Sequence, residues 1–169
     1  MKQVLCASVV VFLVLAGAPF GIDAAGQSAR GPLQGVWQVT EFNLTGPSAR
    51  TITLSQPRAN LIIFTARHYS RVEVQSEGPR PALPDAAKAT ADELRAVWGP
   101  FVGEAGTYEV AGSAVTMHPI ASKNPAVMGA GVFIRYSFKV SGDTLTLTQD
   151  RNQNGPFPSP FTIKAVRVE

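Results

Sequence analysis

Few side chains in this 169-residue sequence have the chemistry of a base, a nucleophile or a metal ligand. There are two histidines, His68 and His118, and a single cysteine, Cys6. His118 stands in GTYEVAGSAVTMHPIASKNP, residues 106–125, where it could serve as a base, ligate a metal or do neither. Its role depends on the way it faces, because successive side chains of a strand point to opposite sides. With Gly112 and Ser113 as the turn, Ala111 faces Ala114, Val110 faces Val115, Glu109 faces Thr116, Tyr108 faces Met117 and Thr107 faces His118. One side of this hairpin then carries Tyr108, Val110, Val115 and Met117, and the other Thr107, Glu109, Thr116 and His118. The next hairpin sorts in the same way. Val132, Ile134, Tyr136, Phe138, Val140, Leu145 and Leu147 share a side opposite Arg135, Ser137, Lys139, Thr144, Thr146 and Thr148. A slip of one residue would expose every large apolar group, so the apolar side is the interior.

That parity puts His118 outside, in a polar row with Glu109 and Thr116. A bulge at Pro119, which cannot donate to a ladder, is the way His118 would turn inward instead; a metal or catalytic role is the third reading. His68, beside Tyr69 at a turn, reads as a rim residue. The inward groups that could exchange a proton are Tyr108, Tyr136 and Glu41, the last in strand phase with Trp37 and Val39. No Ser-His-Asp order, paired-carboxylate spacing or Gly-rich phosphate loop is present, so no catalytic residue, metal site or cofactor is expected. Two histidines without a retained thiol are too few for a multi-His zinc site within one chain.

Cys6 lies in MKQVLCASVVVFLVLAGAPFGIDAAG, which has the form of a secretory signal. Lys2 is the positive start, Val4–Ala18 the apolar core, and Ala24-Ala25-Gly26 the small-residue cleavage region. The alternative is an uncleaved anchor, for which the apolar stretch is short. The expected arrangement is a signal over 1–26 and one domain over 27–169, free of thiols, secreted or periplasmic, with no stable membrane insertion after the signal is removed. Net charge is +3, and charged residues make up 16% of the chain without clustering, which argues against a nucleic-acid surface.

The elements that position these residues are short period-2 segments: 36–44, 50–54, 59–65, 69–75, 107–110, 114–121, 132–140, 144–149 and 161–168. Turn residues separate them, including Ser141-Gly142-Asp143. A Pro-rich stretch, GPRPALPD, leads to the one convincing helix in DAAKATADELRAVWGPF, where Leu94, Val97, Trp98 and Phe101 recur at helical spacing. Thr90 and Glu93 form a capping box at its start, and Gly99-Pro100 ends it. Many strands, one helix and no α/β alternation predict a sandwich or a barrel; one interrupting helix and closure of first strand on last favour the barrel.

Gly35-Val36-Trp37 resembles the Gly-x-Trp start of lipocalins. The chain as a whole is similar to the bacterial lipocalin-like domain family through LQGVWQVTEF, AGTYEVAGSAVTMHPIASKNPAVMG, VSGDTLTLT and AVRVE, over roughly residues 33–168. The resemblance implies an all-β, up-and-down antiparallel barrel of about 8–10 strands with one inserted helix. It also implies that Trp37 plugs one end, with Arg167 stacked on its face. The family often carries two adjacent histidines after the Tyr-Glu-Val hairpin; here Met117 takes the place of the first. The function expected is binding of a small apolar or amphipathic molecule by Phe64, Trp98, Tyr108, Met117, Tyr136 and Phe138. The same residues could instead fill a barrel without a cavity. The alternatives are a barrel enzyme of cyclase or isomerase type and a structural protein of the cell envelope.

Overall fold

The computed structural model describes residues 31–54 and 60–169. The signal expected at 1–26, with Cys6, lies outside them.

Ten strands and one α-helix follow in chain order: β1 (Gly35–Leu44), β2 (Arg50–Thr53), β3 (Leu61–Phe64), β4 (His68–Val74), α1 (Ala91–Trp98), β5 (Phe101–Ala111), β6 (Ala114–Ser122), β7 (Ile134–Ser141), β8 (Thr144–Asn152), β9 (Gly155–Pro156) and β10 (Phe161–Arg167). Short 3-10 turns occupy Gly46–Ser48 and Pro125–Val127. Eight strands close into an antiparallel barrel in the order β10-β1-β3-β4-β5-β6-β7-β8, with β8 pairing back to β10. β2 extends the line of β3. It pairs with the last residues of β1, while β3 pairs with the first. Asn60 sits where the line is broken, its backbone carbonyl accepting from Val39 and its side-chain carbonyl from the Val74 amide.

The two ends of the barrel differ. At one end the connections are tight: 65–67, 112–113 and 142–143. At the other lie the long ones, 75–100 with α1, 123–133 and 153–160. The tight end is shut by Trp37 and Leu33, both buried, with the indole Nε1 donating to the Leu33 carbonyl at 2.7 Å. Arg167 lies over the Trp37 ring at 4.0 Å and donates through Nη1 to the Gln34 carbonyl at 2.7 Å. Gly35 permits this closure: its φ of 136° suits glycine, and a Cβ there would strike Glu169 and the Arg167 side chain.

The register expected for β5 and β6 is the register found, from Ala111–Ala114 to Thr107–His118. Val115 and Met117 are fully buried, whereas His118 is half-buried on the opposite side, its ring 6.4 Å from that of Phe133. The ladder does slip, but beyond Pro119. Gly106 pairs with Pro119 and Ala105 with Ala121, which leaves Ile120 unpaired and 64% exposed. Gly106 is needed there, because any Cβ would fall on the His118 carbonyl.

A second slip corrects an expectation. β1 and β10 lose register between Val39 and Glu41, so Phe42, not Glu41, continues the inward phase of Trp37 and Val39. Glu41 is outside, where Lys164 donates to it at 2.6 Å, and that contact, followed by one from Asn43, lowers its pKa.

Candidate functional site

β4 reverses the usual binary pattern. In HYSRVEV the valine phase faces out, with Val72 44% exposed, while Tyr69, Arg71 and Glu73 are buried. β3 dictates this. Phe64 pairs with Tyr69 and Ile62 with Arg71, and directly paired residues share a side. Phe64 and Ile62 belong to the apolar core, so Tyr69 and Arg71 go in with them. Glu104 enters in the same way, opposite Arg71 on β5.

Inside the barrel these residues form a hydrogen-bonded cluster. Arg71 donates through Nε and Nη2 to the two oxygens of Glu73 at 2.9 and 2.8 Å, a fork-to-fork pair. Its Nη1 donates to the Tyr136 hydroxyl at 2.9 Å and lies 3.6 Å from Glu104 Oε1. The Tyr69 hydroxyl donates to the same Glu104 oxygen at 3.4 Å, and Gln75 Nε2 donates to Glu73 Oε2 at 3.2 Å. The side chains of Arg71, Glu73 and Glu104 are 4%, 0% and 7% exposed, so two carboxyl groups face one guanidinium away from water. Burial opposes the Arg71 charge, but Glu73, Tyr136 and Glu104 together hold its pKa well above the ordinary value. Burial raises the pKa of Tyr136, against a partly offsetting Arg71. Burial, then the facing Glu104, raises that of Tyr69.

Above this cluster, at the long-loop end, is a cavity of about 160 Å³ lined by Phe42, Leu44, Arg50, Ile52, Gln75 and Phe161. The register turns all six the same way: Phe42 pairs with Ile52, Leu44 with both Arg50 and Phe161, and Gln75 continues the inward phase of β4. The cavity therefore belongs to the barrel mouth and not to its outer wall. It adjoins the cluster twice, through Gln75 on Glu73 and through Phe161, whose ring meets that of Tyr136 edge-on at 6.5 Å.

The residues expected to bind a ligand are dispersed. Met117 and Tyr136 are fully inside, and Tyr136 is the one that joins the polar cluster. Phe64 and Tyr108 meet edge-on at 5.1 Å at the tight end, where the Tyr108 hydroxyl donates to the Thr65 carbonyl at 2.6 Å. Phe138 is half-buried against the core. Trp98, expected near the interior, is 47% exposed on α1 and leans edge-on against Phe101 at 5.7 Å. It stands on the rim because Val97 takes the buried position of that helix. The inward titratable set expected from parity, Tyr108, Tyr136 and Glu41, thus loses Glu41 and gains Tyr69, Arg71, Glu73 and Glu104. The signal for them was Tyr69-Arg71-Glu73-Gln75 at spacing two, phased to Ile62 and Phe64. Among the described residues no group of three His, Asp or Glu side chains is placed to hold a metal ion.

A closed eight-stranded antiparallel barrel, shut at one end by a tryptophan, defines a lipocalin-like fold. The chain belongs to the family described as the lipocalin-like domain, whose profile matches residues 34–163. No curated protein matches the chain significantly.

Proposed function

We propose that this chain is an exported binding protein for a small apolar or amphipathic molecule, taken up through the barrel mouth. Export rests on the form of residues 1–26, and binding on the mouth cavity. The single observation that carries the binding reading is that all six lining residues are inward by register, four of them apolar. Such a mix of apolar walls and few polar groups suits a small organic ligand. The barrel and its family fit a ligand-binding protein of lipocalin type.

The test is uptake of a neutral apolar dye by the purified domain, with native mass spectrometry of protein from its source for any retained molecule. Leu44→Trp, which fills the mouth from a half-buried position, should abolish uptake while circular dichroism stays unchanged. His118→Ala, on the outer side, should change neither uptake nor melting, since surface substitutions usually stay within about 0.5 kcal/mol. A wild-type protein that takes up no dye and flies bare would defeat the reading.

The buried cluster favours a second reading, a barrel enzyme acting on a small organic substrate. Glu104 Oε2 accepts no hydrogen bond among the described residues, which leaves a carboxyl oxygen available for proton transfer. A retained molecule that changes in mass on incubation, and ceases to change in Glu104→Gln, would support it.

A further inference from the structure

The polar groups of the mouth are unequal, and the inequality bears on the ligand's head group. Arg50 is the single charged residue among the six that line the cavity. It pairs with Leu44 across β1 and β2, so its side chain leaves β2 on the inward side, at the exposed rim. Among the described residues no hydrogen bond, ion pair or ring contact engages its guanidinium. Arg71, deeper in, is fully committed: Glu73 holds two of its nitrogens and Tyr136 the third, with Glu104 also beside it. The floor thus sets two carboxyl groups against one guanidinium. An anion carried down to that floor would meet carboxylates and, among the described residues, no unengaged cation, whereas an anion left at the rim meets Arg50.

We propose that the mouth selects an amphiphile with a single anionic head, such as a carboxylate, held head-outward by Arg50, its apolar chain directed past Phe42, Ile52 and Phe161. This rests on the container reading and names the ligand class and its orientation. Arginine suits the task, since its planar fork matches a carboxylate with two parallel hydrogen bonds.

The experiment compares octanoate, octanol and octylamine, which share a chain length and differ in head charge, by displacement of a neutral dye. Octanoate should bind tightest, and its advantage over octanol should shrink as salt is added. Arg50→Gln should weaken octanoate by roughly two- to fivefold, the range of a solvent-exposed ion pair, and leave octanol unchanged. Lys139→Gln removes an exposed cation from the outer side of β7 and should leave the preference intact, which separates a local contact from attraction to the net positive chain. Equal binding of octanoate and octanol would overturn the head-group assignment and leave the container standing. Tightest binding of octylamine, lost in Glu104→Gln, would overturn it in favour of a cationic head directed inward. Failure of all three probes, octanol included, would overturn the container reading itself.

Discussion

Arg71 is held by more partners than any other charged group in the interior, and its surroundings make its removal costly. Arg71→Met would leave the buried Glu73 and Glu104 carboxyl groups without their shared cation, and breaking a buried pair from one side costs about 3–5 kcal/mol. Adding Glu73→Met should recover part of that loss, because an apolar pair no longer strands a charge. Urea unfolding of the two variants checks the order; a double variant no more stable than the single would mean that Glu104 carries the penalty. The tyrosines give a second test. All three, Tyr69, Tyr108 and Tyr136, have raised pKa values, chiefly through burial. A raised native pKa means that the unfolded chain loses its phenolic protons first, so stability is intact below the ordinary tyrosine value of about 10 and falls as pH rises above it. Tyrosinate absorbance should therefore appear together with loss of far-ultraviolet structure. Ionisation of more than one tyrosine while the barrel stays folded would contradict the burial of Tyr69 and Tyr136. His118 shows what parity could read: it needed only the turn at Gly112 and the alternation of Val115 and Met117. Glu41 shows what parity could not, since the slip after Val39 depends on pairing with β10, more than a hundred residues away.

Strand existence and strand register were readable because the apolar phase of each hairpin agrees with its turn; β4 was readable as a strand at 69–75, but not the side it turns inward, because its apolar phase points the wrong way. Within HYSRVEV the valines are the natural core residues by propensity, and only the pairing of Phe64 with Tyr69 brings Arg71 and Glu73 inside. Such pairing is information between strands, which periodicity within one strand does not hold. The helix was readable for the opposite reason. Its capping box is local: Thr90 Oγ1 accepts from the Glu93 amide, and Glu93 Oε2 accepts from the Thr90 amide at 2.7 Å. What fixes α1 to the barrel is a distant side chain. Lys123 Nζ donates to the carbonyls of Trp98, Gly99 and, at 2.8 Å, Phe101, and so caps the helix end with a cation. Lys123→Met should loosen the 75–100 connection while costing the whole fold only about 0.3–1 kcal/mol, as a cation at an exposed helix end is worth. Limited proteolysis reads the difference. Faster cleavage between Gln75 and Phe101 with a nearly unchanged urea midpoint is the expected result, and unchanged cleavage would show that Val97 alone docks the helix.

The molecule as a whole is a barrel with one sealed end, and the seal joins the first strand to the last. Trp37 from β1, Leu33 before it and Arg167 from β10 meet there, reinforced by the Val36 amide donating to the Glu169 carbonyl and the Val168 amide donating to the Val36 carbonyl. Closing the sheet on itself removes two strand edges that would otherwise be open to pairing. The indole contributes in three ways: it fills the end of the core, donates to the Leu33 carbonyl and offers its face to Arg167. Trp37→Ala removes all three and should cost about 3–5 kcal/mol, as truncation of a buried aromatic does. Arg167→Met removes the stacked cation and its donations to the Gln34 and Pro32 carbonyls, and should cost about 0.5–2 kcal/mol. Because the two side chains act on one another, the double variant should lose less than the sum of the singles. The sequence has two tryptophans, one sealed and one on the rim, so fluorescence reports the same architecture. Iodide should quench the emission of Trp98 and leave that of Trp37 until unfolding. Full quenching of the folded protein, or a Trp37→Ala variant with an unshifted urea midpoint, would mean that this end of the barrel is open to solvent and that a ligand has two ways in.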